Sequence, residues 1–141
     1  MEFRNLQKND YNKKYFDLLS QLTEVNKEKI SFVDFCNFID KLNENHHIIV
    51  IIHNNKIVAS GTLLIEDKII HGMSKVGHIE DIVVDSNSRG LGLGKKIISY
   101  LTNLAKENNC YKVILNCKEE NCKFYQKCGF VKKEIEMAIY F

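Results

Sequence analysis

Gly90, Gly92 and Gly94 stand at alternate positions in the segment Arg89-Gly90-Leu91-Gly92-Leu93-Gly94-Lys95, and no other stretch of this chain limits its fold as much. An apolar run, Ile79 to Val84, enters the segment. A helix leaves it, predicted over 93–108, with Leu93, Ile97, Ile98, Leu101, Leu104 and Ala105 on one face. A strand that turns through glycines into a helix lets backbone approach a ligand and leaves the first helical N–H groups without partners. The helix dipole adds to them, so the segment suits phosphate oxygens. It is not a P-loop, because Arg89 occupies that motif's first glycine and Lys96 its Ser/Thr. Nor is it the dinucleotide fingerprint, where Lys95 replaces the third glycine.

The rest of the chain alternates between the two hydrophobic periods. Residues 2–6 read as a strand. Residues 11–22 read as a helix with Asp10 as N-cap and Tyr15, Leu18, Leu19 and Leu22 on one face. Residues 31–42 read as a second helix, capped by Ser31 with Asp34 three residues on, and with Phe32, Phe35, Phe38, Ile39 and Leu42 as its apolar stripe. His47–His53 and Lys56–Ile65 form a hairpin about Asn54-Asn55, residues that tolerate positive φ. Lys68–His71 reads as a short strand and Val76–Val84 as a strong one. Tyr111–Asn116 is a further strand, Asn121–Lys127 a short helix stopped at Gly129, and Phe130–Phe141 a closing strand. The expectation is a single α+β domain over 1–141, a mixed sheet flanked by helices.

Charge and composition narrow the function by exclusion. Twenty basic residues stand against 18 acidic ones, net +2, and the only arginines are Arg4 and Arg89. That balance offers no basic face for nucleic acid. The longest apolar run, Ile48–Ile52, is too short for a membrane span, and the first residues do not read as a signal peptide. A cytoplasmic location is therefore expected, with reduced thiols at Cys36, Cys110, Cys117, Cys122 and Cys128. The spacings among the last three do not fit zinc, so no metal is expected.

Arg89-x-x-Gly92-x-Gly94 resembles the pyrophosphate loop of the GNAT N-acetyltransferases. Gly77-His78-Ile79-Glu80-Asp81-Ile82-Val83-Val84, Cys110-Tyr111-Lys112-Val113-Ile114-Leu115-Asn116-Cys117 and Asn121-Cys122-Lys123-Phe124-Tyr125-Gln126-Lys127-Cys128-Gly129-Phe130 follow the same order. Together with Lys68-Ile69-Ile70-His71 and Gln21-Leu22-Thr23, they resemble the eukaryotic glucosamine 6-phosphate N-acetyltransferase family within that group. The resemblance implies the GNAT fold, with splayed strands holding acetyl-CoA as co-substrate. It also implies acetyl transfer to a sugar-phosphate amine, on the route to UDP-N-acetylglucosamine. It places the coenzyme on Ile82, Val83, Val84, Arg89, Gly90, Leu91, Gly92, Leu93, Gly94, Lys95, Leu115, Asn116, Asn121 and Tyr125. A bulge near Ile82 would free an N–H for the oxyanion, and Tyr125 would be the acid at the coenzyme sulfur. Glu80, Asp81 and Asn116 would complete the catalytic group, the two acids pointing to opposite faces. Thr23, Lys68, Ile69, Ile70, His71 and Tyr140 would join them in binding sugar and phosphate. Family members are homodimers that share their sites through the C-terminal strand, where Ile135, Met137, Ile139 and Phe141 alternate.

Two positions depart from the family pattern. Asn116 replaces an acidic residue, and an amide can position an amine but cannot take its proton. Tyr140 stands where an arginine meets the sugar phosphate. These departures leave open an acetyltransferase of another amine, such as a protein N-terminus or a polyamine, and a non-catalytic acetyl-CoA-binding module.

Overall fold

In a computed structural model describing residues 1–141, five strands form one sheet in chain order: β1 (Glu2–Asn5), β2 (His46–His53), β3 (Lys56–Asp67), β4 (Lys75–Val84) and β5 (Cys110–Ile114). The first four run antiparallel, and β5 joins β4 in parallel. The helices are α1 (Tyr15–Leu19), α2 (Phe32–Lys41), α3 (Ile70–Met73), α4 (Leu93–Glu107) and α5 (Cys122–Lys127).

The period-2 geometry of β2 explains why its sequence is apolar without a break. Ile49 and Ile51 face α4, where they join Leu63, Ile79, Ile97, Ile98 and Leu101 in one core cluster. Ile48, Val50 and Ile52 face the other way, onto Phe16, Leu18 and Phe35 of α1 and α2. Both faces of the sheet are covered, so alternation with polar residues is lost. Each such side chain contributes on the order of 1.5–3 kcal/mol when fully buried. The hairpin turn is as expected, with Asn54 at φ 50° and Asn55 at φ 59°.

Four local expectations are corrected. The helix predicted over 11–22 is broken: residues 8–12 form a 3-10 turn, Lys14 is left-handed at φ 60°, and α1 starts only at Tyr15. Asp10 does not cap it. Its carboxylate is fully buried and accepts from both terminal nitrogens of Arg4, at 2.7 and 2.8 Å, and from the Gln7 N–H at 2.8 Å. Ser31 does cap α2 as expected, with Asp34 reciprocating, but Phe32 and Phe38 remain exposed and Phe35 alone of that stripe is fully buried. Lys68–His71 is not a strand. It leads into α3, a turn with His71, Gly72 and Met73 all left-handed.

The fourth correction concerns the C-terminus. Residues 129–141 adopt no regular structure, and Ile135, Met137 and Ile139 are exposed. An alternating sequence makes a strand only when a neighbouring strand accepts its hydrogen bonds. No strand of the same chain does so here.

Candidate active site

The parallel pairing of β4 and β5 runs from Lys75↔Cys110 to His78↔Ile114 and stops. Beyond that point β4 continues through Ile79–Val84 with β3 on one edge only. Its other edge therefore offers backbone donors and acceptors to a ligand, in place of a strand.

A bulge interrupts β4 inside this open stretch. Thr62 pairs with Glu80 and Ser60 with Val83, so Asp81 and Ile82 together oppose Gly61. Asp81 takes the left-handed conformation at φ 53°, a position most residues avoid. The bulge also corrects the expected alternation of the two acids. Glu80 lies opposite Thr62, and Asp81 lines a cavity of about 340 Å³ with Thr62, Ser60 and Tyr15. Both carboxylates therefore belong to the face covered by α1 and α2. Tyr15 is buried, and burial pushes its phenol up; Ser60 opposes the shift and Asp81 adds to it.

Gly61 is the counterpart of the bulge. A Cβ there would lie 2.5 Å from Ile82 Cδ1 and 2.9 Å from Leu101 Cδ1. The absence of a side chain lets Ile82 turn in toward α4 while Asp81 turns out into the cavity. A glycine within an otherwise apolar strand was the available signal; Tyr15, Ser60 and Thr62, by contrast, carry no local pattern that marks them.

At the end of β4, Asp85 organises the turn into the glycine segment. It accepts from Asn87 N–H at 3.4 Å, Ser88 Oγ at 3.2 Å and Gln21 Nε2 at 3.0 Å, and the bond from Gln21 leads the causes that hold its carboxyl below the ordinary range. Gly90 and Gly92 are left-handed, at φ 85° and 68°. The first bond of α4 is Lys96 N–H to Gly92 O, and no N–H from Gly90 to Lys95 finds a partner in the chain. Arg89 is exposed and forms no ion pair. Gly94 has a different task. A Cβ there would meet Phe124 Cζ at 3.0 Å, so its smallness lets α5 close against the start of α4.

That closure positions Tyr125. Its ring is half-buried between Phe124 (centroids 5.0 Å apart) and Phe130 (6.1 Å), both edge-on. Its hydroxyl makes no hydrogen bond within the chain. Burial, with Cys117 and Cys128 nearby, pushes the phenol above its ordinary value, so it stays protonated at neutral pH and able to donate. Leu115 packs on the α4 core, while Asn116 and Asn121 are exposed in the segment that joins β5 to α5.

The remaining predicted residues lie elsewhere. Lys68 pairs with Glu66 at 2.6 Å, and His78 approaches the same carboxylate at 3.5 Å. His71 stacks on Tyr111 with centroids 4.6 Å apart, and Ile69 and Ile70 are exposed beside it. Thr23 is exposed past the end of α1, and Tyr140 is exposed in the C-terminal segment. The structure thus assembles the bulge, the glycine segment and Tyr125 around the open edge of β4. Within one chain it does not bring Tyr140 to them.

A sheet that opens beside a bulge, with unpaired amides at the start of the following helix, defines an acyl-coenzyme A-dependent transferase fold. Residues 7–130 match the Acetyltransferase (GNAT) family, and the chain belongs to that family. Glucosamine 6-phosphate N-acetyltransferase 1 of Dictyostelium discoideum is 44% identical across 99% of this chain and 90% of its own length. The glucosamine 6-phosphate N-acetyltransferase of Candida albicans is 43% identical across 99% and 95%. The crystal structure of the Arabidopsis thaliana glucosamine-6-phosphate N-acetyltransferase superposes with a TM-score of 0.94 at 40% identity, covering 99% of this chain and 97% of that one.

Proposed function

We propose that this chain transfers the acetyl group of acetyl-CoA to the amine of glucosamine 6-phosphate, giving N-acetylglucosamine 6-phosphate and CoA. The observation that carries the reading is the open edge of β4 from Ile79 to Val84, running into the free N–H groups of Gly90–Lys95. Full-length relatives named for this reaction support the choice of acceptor.

The co-substrate supplies an activated acyl group as a thioester, and this chain's residues hold it in place. The backbone of Ile82, Val83 and Val84 pairs with the pantetheine arm, with Leu115, Asn116 and Asn121 on the opposite lip. Arg89 and the amides from Gly90 through Lys95 hold the pyrophosphate. At the bulge, a backbone N–H faces the carbonyl oxygen as negative charge develops there. Tyr125 donates its proton to the departing sulfur.

The acceptor amine must be neutral to attack. Glu80 and Asp81 share the face that receives it, so they orient the amine and draw off its proton. Asn116 positions the amine through its carbonyl and takes no proton, because an amide is not a base. Thr23, Lys68, Ile69, Ile70 and His71, which lie away from the open edge of β4 in their own chain, bind the sugar phosphate at a site shared with a second copy.

The protein works as a homodimer. The exposed apolar residues Ile135, Met137 and Ile139 of the C-terminal segment pair with a second copy and bring Tyr140 to its site. The whole of 1–141 acts as one GNAT domain, in the cytoplasm, supplying UDP-N-acetylglucosamine synthesis.

An acceptor panel tests the assignment. Thiol release from acetyl-CoA is followed with glucosamine 6-phosphate, glucosamine, a polyamine and a peptide N-terminus. At least a tenfold preference in kcat/KM for glucosamine 6-phosphate over glucosamine is expected. Equal efficiency on the two, or preference for the polyamine or peptide, would overturn it.

A further inference from the structure

Two cysteines flank the catalytic segment without a part in the reaction. Cys117 follows Asn116 and Cys122 follows Asn121, and their sulfur atoms lie 3.7 Å apart. The chain between them is a tight loop that contains the 3-10 turn Glu119–Asn121. Cys122 is otherwise held by weak contacts to Lys118 O and Glu119 Oε2, both at 3.9 Å. Cys117 is exposed and Cys122 half-buried. The pair therefore has one sulfur open to solvent and a second waiting behind it.

We infer that Cys117 and Cys122 form a dithiol modification site, which takes a low-molecular-weight disulfide of the glutathione class as oxidant and closes to an intrachain disulfide that stops acetyl transfer. The Cys117 thiolate attacks one sulfur of the small disulfide, forming a mixed disulfide and expelling one small thiolate. The Cys122 thiolate then attacks the Cys117 sulfur and expels the second. The protein loses two protons and two electrons, and the small disulfide is reduced to two thiols that carry off the protons. The exposed Cys117 sulfur makes the first attack, and contact between the two makes the second step intramolecular.

The effect on transfer follows from placement. A disulfide holds its sulfurs about 2 Å apart, so closing this one brings the two sulfur atoms in from 3.7 Å and ties residues 117 and 122 into one cross-linked loop. Asn116 and Asn121 are their direct neighbours, and Tyr125 is one helical turn beyond Cys122 on α5. A misplacement of about 1 Å in a catalytic group costs roughly 10²-fold in rate. Burial, together with Cys122 and Glu119, pushes the Cys117 thiol up, with Lys132 opposing. Thiolate is therefore scarce at neutral pH, and the first step quickens as pH rises through the alkaline range.

The loss of activity rests on the proposed role of Tyr125; the cross-link does not. The purified protein is incubated with oxidised glutathione, and intact mass, peptide mapping and thiol release with glucosamine 6-phosphate are read together. The wild type is expected to lose two hydrogens with no retained glutathione and to map to Cys117–Cys122. Its rate is expected to fall at least tenfold and to recover with dithiothreitol. Cys117→Ser and Cys122→Ser keep the reduced rate within about twofold and never show the two-hydrogen loss, and Cys117→Ser/Cys122→Ser keeps its rate with and without oxidised glutathione. An unchanged wild-type mass, a bridge through Cys128, or a cross-linked protein with an undiminished rate would overturn the inference. Absence of turnover in the reduced wild type would instead count against the proposed function.

Discussion

Gln21 and Asp85, far apart in sequence, meet where Gln21 Nε2 donates to Asp85 Oδ1 at 3.0 Å, and a second bond beside it, from Ser86 N–H to Gln21 Oε1 at 2.8 Å, holds the same amide to the turn. The first residue lies just past α1, on the face of the sheet that α1 and α2 cover. The second begins the turn that leads to the glycine segment. Gln21→Ala removes both bonds and loosens the turn. The expected result is a three- to tenfold rise in KM for acetyl-CoA with a smaller change in kcat, since each neutral hydrogen bond contributes about 1 kcal/mol. Steady-state kinetics at saturating acceptor checks it, and an unchanged KM would remove Gln21 from the positioning of that turn.

The Arg4–Asp10 pair predicts an acid-sensitive stability. Burial alone would raise the Asp10 carboxyl, but Arg4, the Gln7 N–H and Lys13 outweigh it and hold it below the ordinary 3.8. A carboxyl depressed in the folded state stabilises the fold above its unfolded pKa and loses that contribution as pH falls through its folded pKa. Asp10→Asn, which takes from Arg4 its buried carboxylate partner and leaves it only the exposed Glu2, should cost about 3 kcal/mol near neutral pH. The gap between variant and wild type should narrow below about pH 4. Urea midpoints at pH 7 and pH 3 measure it; a gap of constant size would contradict the assignment.

Gly61→Ala tests the bulge. The added carbon meets Ile82 and Leu101, and overpacking of this kind costs roughly 1–3 kcal/mol. The expected outcome is a fall in Tm of several degrees, together with a fall in kcat at least fivefold, because Ile82 belongs to the bulge proposed to face the thioester. A variant with wild-type kcat would separate the bulge from the chemistry.

Much of this architecture was legible in the sequence, because the deciding patterns are local. The Asn54-Asn55 turn, the Ser31 cap and the apolar face of α4 each follow from residues within a few positions of one another. The glycine segment was legible too, although Gly94 turned out to make room for Phe124. The failures share a different cause. Asp10 looks like a helix cap until Arg4 approaches from a strand. The acids Glu80 and Asp81 look opposed until a bulge, permitted by Gly61 on another strand, resets the period. The C-terminal alternation describes a strand for which no strand of this chain supplies a partner.

Tyr125→Phe tests the proton donation proposed for this side chain. The ring still fills its place between Phe124 and Phe130, so folding and acetyl-CoA affinity should stay within about twofold. Loss of general acid assistance should lower kcat by roughly 10²-fold or more. The defect should ease with acyl donors whose thiols leave more readily. An unchanged kcat would remove Tyr125 from the mechanism.

The most direct measurement is a crystal structure of this chain with coenzyme A. The pantetheine arm should lie along Ile79–Val84, and the pyrophosphate oxygens should sit within about 2.7–3.2 Å of N–H groups between Gly90 and Lys95. Coenzyme bound on another face, with β4 still open and those amides on solvent, would contradict the account.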